Sequence, residues 1–287
     1  MLDFVHAFLT QEFIQSAVIA GLLAGLACGI VGTFVVVKRI SFISGGIAHS
    51  VLGGMGIAYF FGKQPLHGAV LAAIAAALIT GLVNLRARNR EATIIGARWS
   101  IGMAVGIIFI ARTPGYSVDL MSFLFGNILM VTKADLAQLA MLDAAILLVV
   151  LLFYRQFRAV CYDEEFTRLR GVNTAGVYLL LLCLIALTVV LLIQVVGIIL
   201  VIALLTLPAA VAGDFSQSLG RMMLAAIGIS FLVTLAGLGI SYSADLPSGA
   251  TIILVAGAVY LAAELSRMAR RKWRNLKGWK GEPVSKP

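Results

Sequence analysis

The sequence has little charge. Asp, Glu, Lys and Arg make up 12% of its 287 residues, where a soluble domain has about 25%. With 61% hydrophobic residues, its surface must face lipid. Cysteine is scarce as well. Cys28, Cys161 and Cys183 are scattered, with no CxxC spacing, which excludes a disulfide framework and a zinc knuckle. No HExxH occurs, so the usual helix-borne metalloenzyme site is missing. No GxxxxGK[ST] occurs either, so the chain has no P-loop, and a nucleotide motor must sit on another chain. Few carboxylates lie inside the apolar runs, and no repeat is evident. That counts against an ion-coupled secondary carrier, which normally shows repeated, broken helices. Aromatics are only 9%, few for the wall of a large cavity that would admit a metal chelate.

Long apolar runs are what the chain does have. They recur along its whole length, so a signal peptide does not account for them. A helical crossing needs about 20 apolar residues. Spans are expected at 12–37, 42–62, 66–85, 94–112, 135–154, 174–195, 196–212, 221–242 and 248–267. The fold class is an all-α polytopic membrane protein with eight or nine crossings. Residues 1–267 form one transmembrane domain and 268–287 a basic tail. The uncharged run from Ala175 to Gly213 is about twice a bilayer's thickness and must fold back once, at Gln194 and Gly197. "VDLMSFLFGNIL" at 118–129 is too short to cross and suits a re-entrant or surface helix. In the first span Gly21, Gly25 and Gly29 stand four apart, a spacing that lets helix backbones approach closely.

Lys and Arg in short loops give the direction of insertion. Lys38 and Arg39 follow the first span. Arg86, Arg88, Arg90 and Arg98 surround the end of the third and the start of the fourth. Arg155, Arg158, Arg168 and Arg170 follow the fifth, and Arg221 opens the eighth. From Arg267 onward eight basic residues stand against Glu282. Placed directly after an apolar helix, they mark a cytoplasmic tail beside anionic lipid, not a nucleic-acid surface. An outside N-terminus and a cytoplasmic C-terminus put all these clusters in the cytoplasm, leaving Lys63 and Arg112 as the clear exceptions.

One polar loop stands out, about 155–173. Within it "DEEFTRLRGVN" has acidic residues first and basic residues last, the order a helix dipole favours. Phe166 and Leu169 share one side. A short amphipathic helix here either lies at the interface or docks into a groove of a soluble partner.

The stretches "KRISFISGGIAHSVLGG", "DLMSFLFGNIL", "DEEFTRLRGVN", "VVGIILVIALLTLPAAVA" and "SYSADLPSGATIILVAG", in this order, resemble the permease subunit of the metal-importing ABC transporters, the ABC-3 family. The resemblance implies an all-helical permease that pairs with a second copy around a central pathway in the cytoplasmic membrane. It implies a cytoplasmic ATPase that holds the ATP, and an external binding protein that delivers Zn²⁺ or Mn²⁺. Metal is then cargo, with no permanently bound cofactor. Asp163, Glu164, Glu165, Phe166, Arg168 and Gly171 fall in the family's coupling helix. Many members carry an acidic residue four before the histidine; here that place is Gly45.

His49 is the main candidate for the metal pathway, with Gly45, Gly53 and Gly56 as its small-residue lining. An ionisable residue inside a membrane is a functional suspect, and neutral imidazole is a common metal ligand. Without the carboxylate at position 45, the donor leans toward Zn²⁺. The alternative is a histidine that only bonds a neighbouring helix. Asp245, before Pro247, and Asp119, before the short segment, are candidates for drawing cations to the outer mouth. Each is also placed to cap the helix that follows it.

Overall fold

The computed structural model describes residues 2–86, 91–113, 126 and 128–278. Among the described residues eleven α-helices follow one another: α1 (Leu2–Thr10), α2 (Glu12–Val37), α3 (Ser41–Phe60), α4 (Pro65–Arg86), α5 (Glu91–Ala111), α6 (Lys133–Tyr162), α7 (Glu164–Leu169), α8 (Thr174–Val196), α9 (Ile198–Phe215), α10 (Leu219–Ala244) and α11 (Ser248–Gly278). No strand occurs among the described residues. Among the described residues, eight helices are long and apolar enough to cross a membrane: α2, α3, α4, α6, α8, α9, α10 and α11. In α5, Ile95–Ala111 is a further apolar stretch among the described residues. Of the segment 118–129, only Gly126 and the start of a 3₁₀ turn at Ile128–Met130 are described.

Local signals set the helix ends. Asp135 N–H donates to Thr132 Oγ1 (3.2 Å) and Thr132 N–H to Asp135 Oδ2 (2.9 Å). This capping box starts α6 before the position its hydropathy gives, and the helix runs on through the basic turn to Tyr162. Asn173 Oδ1 accepts from Gly176 N–H (2.9 Å) at the start of α8. The long uncharged run breaks at Gly197, with φ 80° and ψ 161°, a conformation glycine adopts without penalty. Gly126, also at positive φ, approaches it; a Cβ there would meet Gly197 N at 2.5 Å. The last helix does not stop at Arg267 but continues to Gly278, since Arg, Lys and Leu are good helix formers.

α2 is the centre of the bundle. Its small residues face α9 and α10: a Cβ on Gly25 would lie 3.2 Å from Ser230 Cβ, and one on Gly29 would lie 2.7 Å from the Ile227 nitrogen. Backbones this close gain dispersion contacts that larger side chains would forbid. α6 and α11 turn Leu148, Leu151 and Leu152, and Leu254, Leu261 and Leu265, outward, as lipid-facing helices must. Several membrane-embedded hydroxyls bond their own helix: Thr33 to Gly29 O (2.7 Å), Ser50 to Gly46 O (2.8 Å) and Thr188 to Leu184 O (2.8 Å).

Cross-helix contacts fix which ends lie together. Lys38, at the end of α2, bonds Val160 O near the end of α6 (3.0 Å). Asn84, near the end of α4, bonds Tyr178 near the start of α8 (2.7 Å). Arg267 of α11 bonds Asp214 at the end of α9 (2.8 Å). Lys38, Arg39, Arg155, Arg158, Arg168, Arg170 and Arg267 thus gather at one end. The opposite end joins Glu12 to Lys133 (3.7 Å) and Phe4 to Tyr242 (6.0 Å between centroids).

Candidate functional site

α3 and α5 form the tightest pair around His49. A Cβ on Gly53 would lie 2.9 Å from the Gly102 oxygen, and one on Gly56 would lie 2.8 Å from Gly106 Cα. In return, a Cβ on Gly102 would meet Ser50 Cα at 3.0 Å, and one on Gly106 would meet Leu52 C at 2.7 Å. Glycine thus faces glycine over two turns. The sequence suggests Gly53 and Gly56 as lining; the structure puts both in this closed seam. Gly45 differs, because a Cβ there would meet nothing within 4 Å. The same holds for Gly96 on α5.

The seam delivers Trp99 to His49. Their rings stack with centroids 4.2 Å apart and planes 10° from parallel. Trp99 Nε1 donates to Met103 Sδ (3.1 Å), one turn on, and Phe42 packs 6.3 Å from the indole centroid. His49 Nδ1 is buried with no hydrogen-bond partner. A buried polar atom left unpaired costs about 1–3 kcal/mol, and Asp143, Ser230 and Thr234 carry such atoms as well. Open space at Gly45 lies one turn from the ring. Among the described residues no three His, Cys, Asp or Glu gather as a metal cage. The geometry offers a single nitrogen beside a gap, which suits brief contact with a cation more than retention. Trp99 was absent from the sequence reading; a lone Trp beside Arg98 in an otherwise aliphatic and glycine-rich span was the available signal.

Asp245 does not cap the helix that follows it. It is the left-handed residue (φ 51°) that closes α10, its N–H bonding Ser241 O. Ser241 Oγ in turn bonds Leu246 O (2.6 Å). The carboxylate is exposed at the end away from the basic cluster. Asp119 lies outside the described residues. Asp143 of α6 is buried near Cys28 of α2, with Oδ2 unpartnered.

At the basic end α7 stands out from the body. Asp163 Oδ1 caps it by accepting from Phe166 N–H (2.9 Å), and Thr167 Oγ1 bonds Asp163 O (2.5 Å). Gly171, at φ 81°, turns the chain toward α8. Thr167 is buried; Glu165 and Arg168 are exposed, and so are Phe166 (52%) and Leu169 (83%). The Arg170 guanidinium lies 4.8 Å from the Phe166 ring centroid. Glu164 points the other way, into the body, to Lys38 Nζ (3.2 Å). There it borders a cavity of about 290 Å³, shared with Lys38, Arg39, Ile40, Asn84, Leu85 and Tyr178. The sequence placed Glu164 in the coupling helix with Phe166; helical geometry turns it to the opposite side from Phe166 and Leu169.

Residues 10–267 match the family described as the ABC 3 transport family. An uncharacterised membrane protein of Synechocystis is 44% identical over 261 residues, 91% of this chain and 93% of its own. A probable metal transport system membrane protein of Chlamydia pneumoniae is 42% identical, over 85% of this chain and 86% of its own. The manganese transport system membrane protein MntC of Halalkalibacterium halodurans is 33% identical, over 91% and 89%. Among solved structures, PsaBC from Streptococcus pneumoniae in complex with Fab superposes with a TM-score of 0.83 at 31% identity, covering 92% of this chain and 95% of that one. This chain belongs to the ABC 3 transport family.

Proposed function

We propose that the chain is the permease subunit of an ATP-driven importer for a divalent metal ion in the cytoplasmic membrane. One observation carries this reading: α7 holds Phe166 and Leu169 out from the basic end, where the body of the permease does not cover them. Two large apolar side chains on a capped helix are an anchor for a groove in a partner. With no P-loop in this chain, the partner is an ATPase that binds the ATP. The basic end is cytoplasmic by the positive-inside rule, which puts Asp245 outside, where an external metal-binding protein delivers its cargo. A second copy completes the pathway, and His49 faces it, since a polar ring against acyl chains is costly.

The donor set suits Zn²⁺. Imidazole with no carboxylate one turn away is a softer site than Mn²⁺ prefers. The relatives named for manganese are more distant (33% and 34% identical) than those named only for metal (41% and 42%).

Two experiments test this. Phe166→Asp with Leu169→Asp should reduce the ATPase that co-purifies with the permease about tenfold or more, since burying each such side chain contributes about 1.5–3 kcal/mol. Full retention of the ATPase would remove α7 as the docking element. For the metal, Gly45→Asp places a carboxylate in open space beside His49. The Mn²⁺ to Zn²⁺ uptake ratio in vesicles should then rise. An unchanged ratio would mean that the ion does not pass this face of α3.

A further inference from the structure

We propose that Lys38 is a positioning residue that transmits movement of α7 to α3, the helix that carries His49. This rests on the reading of α7 as the ATPase anchor. Lys38 Nζ holds two elements at once: it donates to Val160 O at 3.0 Å, in the last turns of α6, and to Glu164 Oε2 at 3.2 Å, the first residue of α7. The ammonium also lies 6.0 Å from the centre of the Tyr178 ring of α8. Its side chain is 14% exposed and that of Glu164 31%. Exposed ion pairs often contribute nothing measurable; a cation this enclosed depends on its partners.

The contact leads directly into α3. Lys38 is the residue that ends α2. Arg39 follows with φ 58°, a left-handed conformation that fixes the corner, and Ile40 N–H returns to Val35 O (2.9 Å). α3 begins at Ser41. Only two residues therefore separate the ammonium from the helix, and His49 lies about 12 Å along it by helix rise. A helix transmits displacement along its axis as a rigid element. The cavity beside the pair lies between the Lys38–Ile40 corner and Asn84 and Leu85 of α4. On α7 the residues facing inward are Glu164 and Thr167, and the Thr167 hydroxyl is bonded within its own turn. Glu164 thus ties α7 to the rest of the bundle, with Lys38 as a receiver.

The test is metal moved per ATP hydrolysed, measured in vesicles with the ATPase and binding protein present. Lys38→Met keeps the stem and removes the ammonium. It should leave the ATPase bound and hydrolysing, while metal per ATP falls roughly three- to thirtyfold, the span by which changes along a coupling path act. Lys38→Arg should keep most of the coupling. A Lys38→Met/Glu164→Gln chain should be no worse than the poorer single variant, because one contact is lost in all three. Full metal per ATP in Lys38→Met, an Arg variant as poor as Met, or additive losses would each overturn the proposal. Loss of the Phe166 effect on ATPase binding would sink the anchor assignment instead, and is read separately. If Lys38→Met does not reach the membrane, Lys38→Cys/Glu164→Cys in a chain without Cys28, Cys161 and Cys183 decides. Joining the two thiols with a short bifunctional thiol reagent should raise metal per ATP above the unjoined level, and a link that leaves it low refutes the strut.

Discussion

Replacing His49 with alanine is expected to lower metal uptake at least about tenfold, because even residues that only orient a metal's ligands change affinity about 10- to 100-fold. The bundle should stay assembled. His49 gives the fold one stacked contact, with Trp99 at 4.2 Å, and such pairs contribute about 0.5–1.5 kcal/mol. Against that, removing the ring removes an unpartnered buried nitrogen, which is a cost to the folded state. The two effects nearly cancel, so a large loss of uptake would not come from unfolding. Uptake into vesicles carrying the ATPase and binding protein, with size-exclusion profiles of the purified variant, separates the two. Parental uptake with the parental ion preference would make His49 a packing residue. A disturbed profile would place its importance in assembly.

Single helices were legible in the sequence because each carries its own signal. The span at 12–37 follows from hydropathy alone, and the reversal at Gly197 follows from length, since an uncharged run of that size exceeds one bilayer. α7 was legible through its charge order and the shared side of Phe166 and Leu169. Partnerships between helices were not. Gly53 and Gly56 show that something comes close, and the spacing is the same whether that is a passage or another backbone. Only the matching Gly102 and Gly106, nearly fifty residues away, decide it. The Lys38–Glu164 contact spans 126 residues, and nothing local in either segment announces it. Asp245 misled for a related reason. An Asp before a Pro-Ser turn signals a helix start, but the same residue tolerates the left-handed conformation that ends one.

The glycines of α3 give the sharpest separation between packing and passage. Gly56→Ala should destabilise the protein by about 1–3 kcal/mol, the usual range for overpacking. Its new methyl would stand 2.5 Å from the Gly106 oxygen and 2.8 Å from Gly106 Cα. Both are backbone atoms, so no side chain can rotate away and α5 itself must shift. That shift acts on the site, because α5 holds Trp99 against His49. Gly45→Ala lies on the same helix and changes the same atoms, yet its methyl meets nothing within 4 Å. It should be neutral or slightly stabilising, since alanine is favoured over glycine in a helix by about 1 kcal/mol. Thermal unfolding of the purified variants measures the difference in stability. Trp99 fluorescence, in a chain with Trp273 and Trp279 changed to Phe, measures whether the stack has moved. Gly56→Ala should lower the melting temperature, shift the Trp99 emission and reduce uptake together; Gly45→Ala should leave the first two unchanged. Equal melting temperatures for the two variants would mean that α3 and α5 do not meet at Gly56 in the membrane, and the seam that positions His49 would have to be sought elsewhere.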